Sequence, residues 1–455
     1  MSALITDRWA RVKALRPAGN AAAAAAAARN IQADEWWGLP ADVPAGAERL
    51  AAILGAVPRR NKFGEHLGLR RWFSESIGWE APSGAVDAAA IRLLAPDAPD
   101  SACDPQQWLF LDTETTGMAG GTGTYPFLIG IAWWDAGGLE VEQFFMREHS
   151  EEHSVLVALA ERMAERRVLV TFNGKSFDWP LLETRYNMTR KIRVPSPRAH
   201  LDFLHPARHL WRLRVGSARL PELEKHVLGW NRGADVMSEL IPQIYYEYLR
   251  GGSPDPLVPI FHHNQMDLRG LAGLASRTLA LLGDPEAHGR DALEFFGVSR
   301  ICEKRGERSR AKSLYQRSMV GADLPAETER AAQRALARLA KREGDHALAC
   351  ELWEKLVDCL PGGSRDGLEA YEQLAIHYER RAGNPLRASE LARRALREMR
   401  RAGRLGTIAA HVYKQQRERF KRRLARLERK MERNGGEGRP LDFSPTEARG
   451  AAAED

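Results

Sequence analysis

Asp112 and Glu114 close the apolar run WLFLDTETTG, one residue apart. In a strand, residues i and i+2 project from the same face, so both carboxylates would leave one strand end together. Such neighbours repel and raise each other's pKa unless a cation lies between them. One pair alone is equally well explained by turn acids at a solvated strand end. Two more acids change the balance. Asp178, in TFNGKSFDWPLL, follows a strand and a turn near the start of a helix, where it would also place charge on the helix N-terminus. Asp267, in FHHNQMDLRGL, comes one helical turn after His263; taken alone, that spacing usually marks a surface pair. All four acids fall at the ends of different elements, in an order that allows them to converge.

The elements that must bring them together are legible from about residue 105. WLFLDTE, FLIGIAWWD and LEVEQFFM are three short strand-like runs separated by turns, which predicts a meander. A helical stretch follows near 151 to 165, then a strand RVLVTFNG, a helix from FDWPLLETRYNM, and a short run AHLDFLH. Three strands, a helix, a strand and further helices predict an α/β fold, a ribonuclease H-like mixed sheet flanked by helices, closing near Gly283 and Asp284. NKFGEHLGLRRWF, 61 to 73, is expected to be a strand or docking segment leading into it.

Taken together, DTETTG, then Asn173, Phe177 and Asp178 in N-x-x-x-F-D, then H-x-x-x-D resemble the three exonuclease motifs of the DEDD (DnaQ-like) superfamily. The longer string ETTGMAGGTGTYPFLIG, with KFGEH upstream and HLDFLHPARHLW at 200 to 211, resembles the bacterial YprB-like group of ribonuclease H-like proteins. The resemblance covers roughly 60 to 285, and the group often carries C-terminal helical repeats. It implies that Asp112, Glu114, Asp178 and Asp267 hold two divalent cations, Mg²⁺ or Mn²⁺, hard ions suited to oxygen ligands. It also implies a metal-dependent 3′–5′ exonuclease hydrolysing DNA or RNA, with a histidine as base. His262 fits the H-x4-D form of the superfamily. His263, with Asn264, better fits the HN-x-x-D form of the resembling group and is preferred. Asp202, in LDF, is read as a cap before His205-Pro206 more than as part of the site.

Beyond about residue 290 the pattern is all helical. Gly306, Gly344 and Gly383 lie 38 and 39 residues apart; in each copy alanine follows by five (Ala311, Ala349, Ala388) and leucine by eight (Leu314, Leu352, Leu391). This predicts a helix-turn-helix solenoid with a period slightly longer than that of tetratricopeptide repeats. The expected organisation is a largely flexible region at 1–60, the ribonuclease H-like domain at 61–285, TPR-like repeats at 290–405, and a basic helix with a flexible tail at 406–455. In the basic helix Tyr413, Phe420, Leu424, Leu427 and Met431 form one apolar stripe.

The net charge of +7 is localised: 16 Lys/Arg against 4 Asp/Glu lie between Arg393 and Arg433, and the rest of the 455-residue chain sums to −5. A phosphate-binding footprint would therefore lie near the C-terminus. A protein partner on the repeats is the other expectation. The run of eight alanines at 21 to 28 does not resemble a secretory signal, and no apolar run is long enough to span a membrane. Four cysteines without C-x-x-C spacing favour a reducing, cytoplasmic setting.

The glycine-rich loop Gly117, Gly120, Gly121 and Gly123 lacks G-K-[ST], which argues against a P-loop. Either a hairpin connection or close approach to a terminal nucleotide would use it. Tyr125 and Phe127 are read as core residues more than as base-stacking platforms. His205 and His209 lack acidic or cysteine partners at zinc-site spacing. Two rival functions remain: a nucleic-acid-binding or adaptor protein retaining the fold without catalysis, and an endonuclease on the same fold.

Overall fold

The computed structural model describes residues 46–74, 81–82, 84–117, 122–320, 324–359 and 364–435. The alanine run, the rest of 1–45, Gly120, Gly121 and the tail past 435 lie outside the described residues. The chain divides into two compact units between Glu307 and Arg308.

The first unit is built on a seven-stranded mixed sheet, with strands β1 (Val57–Asn61), β2 (Gly64–Phe73), β3 (Trp108–Thr115), β4 (Pro126–Asp135), β5 (Gly138–Phe145), β6 (Val168–Thr171) and β7 (Ala199–Asp202). Their order is β1-β2-β5-β4-β3-β6-β7. β3, β4 and β5 form the antiparallel meander read from the sequence, while β6 and β7 run parallel to β3. The segment 64 to 73 is a strand of this sheet, paired antiparallel with β5. Within the stretch 1–60 expected to be largely flexible, residues 47–54 form helix α1 (Ala47–Leu54) and residues 57–60 form most of strand β1.

Both faces of the sheet are covered, so its central strands are almost continuously apolar instead of alternating. On one face Leu109, Leu111, Ile129, Ile131 and Trp133 meet α2 (Glu152–Glu165) through Val155, Leu156 and Leu159, and α3 (Asp178–Thr189) through Leu182 and Tyr186. The opposite face, with Leu67, Leu69, Phe127, Leu128 and Phe145, packs on α1 and on Tyr245, Ile260 and Phe261. Beyond β7 the chain forms α4 (Leu204–Val215), the long helix α5 (Val258–Gly283), which carries Ile260 and Phe261, and α6 (Ala292–Arg305). α6 belongs to this unit: the fully buried Glu294 accepts from Trp211 Nε1 at 2.7 Å and from Arg277 Nη2 at 2.6 Å.

The second unit is all helical: α7 (Arg308–Ser318), α8 (Ala326–Glu343), α9 (His346–Cys359), α10 (Arg365–Arg380), α11 (Pro385–Arg404) and α12 (Ala410–Gly435). Gly344 caps α8 with φ 85°, and Gly383 precedes α11 with φ 62°. In each case the chain turns through a conformation that glycine adopts without strain. Ala349 and Ala388 are buried where helices pack, as are Leu352 and Leu391. On α12, Phe420 and Leu427 are buried, with Tyr413, Leu424 and Met431 half-buried beside them. One flank of this basic helix is partly compensated within the unit. Arg419 pairs with Glu372, Arg423 and Arg426 pair with Glu379, and Arg393 of α11 pairs with Glu428.

Candidate active site

Asp112 and Glu114 sit at the C-terminal end of β3, where the register against β4 shifts between Glu114 and Thr115. Asp178 is the first residue of α3, and Thr113 Oγ1 donates to its Oδ1 at 2.6 Å. Asp267 arrives from α5, which crosses the sheet so that His263, Asn264 and Asp267 come to the end of β3. Asn264 Nδ2 donates to Asp112 Oδ2 at 2.8 Å. His263 Nε2 lies 3.6 Å from Asp267 Oδ2 and 3.9 Å from Glu114 Oε1.

The close seating of α5 depends on one missing side chain. Gly130 of β4 lies opposite Asp112, and a Cβ there would stand 2.0 Å from Asn264 Oδ1. Gln143 of β5, fully buried, donates to the same Asn264 oxygen at 2.7 Å. The amide of Asn264 is thereby fixed, with its nitrogen aimed at Asp112.

Desolvation and mutual repulsion dominate the electrostatics. Burial, followed by the charges of Asp267, Glu114 and Asp178, pushes Asp112 well above the usual carboxylate range. Burial also raises Glu114 to about 8, with His263 opposing, and Asp178 to about 6 against the Thr113 hydrogen bond. Burial pulls the His263 imidazolium down. The hydrogen bond from Nδ1 to Asp235 Oδ1, 2.7 Å long, and the charges of Asp267 and Glu114 outweigh that and hold it at about 9.

The loop 229–240 supplies two residues that no motif announced. Asp235 orients His263, and Arg232 Nη2 stands 2.5 Å from Asp267 Oδ1. The half-buried His262, on another side of α5, is depressed by its own burial. Asp202 accepts from the backbone N–H groups of Asn173, Lys175 and Leu204 at 2.9, 3.0 and 3.1 Å, pinning the loop that leads to Asp178. Asn173 itself takes φ 71° there. Phe127 is fully buried and stacks on Tyr245 at 4.0 Å. Tyr125 stacks on His149 at 4.3 Å, with the Arg185 guanidinium 3.9 Å from its ring centroid.

Among the described residues, no three acid, histidine or cysteine side chains converge tightly enough to chelate an ion as they stand. Their chemistry nevertheless suits hard divalent cations. Four carboxylates meet at one sheet end, and Asp267 Oδ1 is buried without an aligned hydrogen bond despite the nearby guanidinium. Asp112, Glu114, Asp178, Asp267, Glu224 and Asp235 face two cations, Arg232 and protonated His263.

The fold of this unit is RNase H-like, and residues 109–279 match the RNase_H superfamily. Over 326 residues the chain is 29% identical to the uncharacterized protein YprB of Bacillus subtilis (strain 168), covering 70% of this chain and 74% of that one. A family B DNA polymerase from the hyperthermophilic archaeon Pyrobaculum calidifontis is similar over 47% of this chain and 29% of its own, at 16% identity. Its TM-score of 0.33 is too low to bear on fold or function. The superfamily points to a nucleic-acid-processing hydrolase that uses divalent ions. No helix among the described residues is long and apolar enough to cross a membrane.

Proposed function

We propose that the first unit is a divalent-cation-dependent nuclease of the DEDD type, releasing nucleotides from the 3′ end of DNA or RNA. The observation that carries this reading is the meeting of Asp112, Glu114, Asp178 and Asp267 at one sheet end with His263 at its rim. Mg²⁺ or Mn²⁺ held by these acids would polarise a phosphodiester and supply a nucleophilic water at neutral pH.

The chain's own residues do the rest. Asn264 fixes the Asp112 carboxylate, and Thr113 fixes that of Asp178. Asp235 holds the His263 ring by Nδ1, so that Nε2 faces the carboxylates and is the atom placed to take a proton from water. Cations among the acids would lower the pKa of His263 from its ion-free value of about 9, which makes it a competent base near neutrality. His262, half-buried on another side of α5, remains the lesser candidate. The second unit, with its TPR-like hairpins and basic last helix, would deliver or select targets, through nucleic acid or a protein partner. The test is purified protein with Mn²⁺ or Mg²⁺ on end-labelled single- and double-stranded DNA and RNA. Ladders shortened one nucleotide at a time from the 3′ end support the reading; internal cuts would replace it with an endonuclease.

A further inference from the structure

Arg232 is more deeply engaged than a surface ion pair requires. Its side chain is 6% exposed and grips both oxygens of Glu224, which is fully buried. The same guanidinium extends to Asp267 Oδ1 at 2.5 Å and to Asp235 Oδ2 at 3.3 Å. Glu224 reaches it over Gly270, three residues past Asp267 on α5, where a Cβ would stand 1.6 Å from Glu224 Oε1. Glu224 therefore fixes the guanidinium, and the guanidinium fixes Asp267. A Glu–Arg pair serving the fold alone would be satisfied by its own two-pronged contact. Buried ion pairs contribute little net stability once desolvation is counted. The third contact instead places a positive charge on a carboxylate that the proposed reaction needs for a cation.

We propose that Arg232 is a resident counter-cation: a positioning residue that holds the Asp267 carboxylate in the ion-free protein and competes with the divalent ion for it. This inference rests on the cation-dependent reading given above. Two like charges within a few ångströms of one carboxylate oppose each other strongly in a partly buried site. Removing the guanidinium should therefore tighten cation binding, whereas loosening its tether to Glu224 should leave it more fully on Asp267.

Mn²⁺ titrations of the full chain, read by calorimetry and by thermal shift, separate these effects. Glu224→Gln with Arg232→Gln, which replaces the ion pair by a neutral hydrogen-bonding pair, should lower the melting temperature without metal. It should also tighten Mn²⁺ binding on the order of ten-fold. Glu224→Gln alone should weaken Mn²⁺ binding. Opposite signs for the double and the single variant support the proposal, because a merely structural role would weaken binding in both. Should the double variant not fold, unchanged or tighter binding in Glu224→Gln overturns the proposal on its own. Wild type that binds Mn²⁺ while the folded double variant binds it no more tightly also overturns it. Wild type that binds no Mn²⁺ at all removes the cation reading and this inference with it.

Discussion

His263 Nδ1 stands 2.7 Å from Asp235 Oδ1, a contact made across 28 residues of chain, and it turns the opposite ring nitrogen toward Glu114 and Asp267. The imidazole is thus held from the loop side and aimed at the acids. That arrangement is what a base beside a carboxylate cluster requires, and it separates His263 from its neighbour His262.

His263→Ala should lower the turnover rate by about 10²- to 10⁴-fold while Mn²⁺ binding is largely kept, as loss of a general base predicts. His262→Ala should do much less. Asp235→Asn should fall between them and shift the acidic limb of the pH–rate profile downward, because the imidazolium loses its carboxylate partner. The opposite order for the two histidines would move the role to His262.

The ion-free site should carry a pH-dependent strain. Glu114 at about 8 and Asp178 at about 6 lie above the usual carboxylate values of about 4. An acid with a raised folded pKa contributes stability that is present below its unfolded value and lost as pH rises through the folded one. These two groups therefore cost stability between about pH 4 and 8 unless a cation compensates their charge. The rise in melting temperature on adding Mn²⁺ should grow from about pH 5.5 to 8, and Glu114→Gln should flatten that growth. A Mn²⁺ effect independent of pH would contradict the assignment.

Gly130→Ala tests the seating of α5 on the sheet. The added methyl would stand 2.0 Å from Asn264 Oδ1, whose amide is already fixed by Gln143 and Asp112. Denaturant unfolding should show a loss of about 1 to 3 kcal/mol, as overpacking predicts. Wild-type stability together with wild-type activity would mean that this close approach is unimportant.

Much of this architecture could be read from residue patterns, and the misses have physical causes. Paired strand positions made Asp112 and Glu114 visible, and their apolar flanks made β3, β4 and β5 visible. The repeating glycine, alanine and leucine spacings anticipated turns at Gly344 and Gly383, both of which have positive φ, and helix packing at Ala349 and Ala388, both buried. Arg232 and Asp235 were not legible, because they lie in a loop without periodicity, and Glu224, on the short helical segment Glu224–Leu228, matters only once that loop folds back on α5. Gly130 looked like any glycine inside a strand, and its meaning comes from Asn264, distant in sequence. Residues 47–61 have little periodicity of their own; α1 is held by packing Leu50 and Leu54 on the sheet.

A chain ending after Glu307 should fold and keep cation-dependent activity, since Glu294 ties α6 to Trp211 and Arg277. Ending it near residue 290 would remove Glu294 and leave the Arg277 guanidinium buried without that carboxylate. If the second unit contacts nucleic acid, the shortened chain should bind more weakly, with a shallower dependence on salt. Binding unchanged in both strength and salt slope would leave a protein partner as the role of the helical unit.

The most direct test of the central claim is hydrolysis of end-labelled single-stranded and duplex DNA and RNA by wild type, Asp112→Asn and Asp178→Asn in Mn²⁺, with folding checked by circular dichroism. Wild type should shorten at least one substrate stepwise from its 3′ end, and both folded variants should lose that activity and the Mn²⁺-induced gain in melting temperature. Variants that digest nucleic acid at the wild-type rate would contradict the carboxylate site, and a folded wild type without Mn²⁺-dependent hydrolysis on any of these substrates would contradict the nuclease itself.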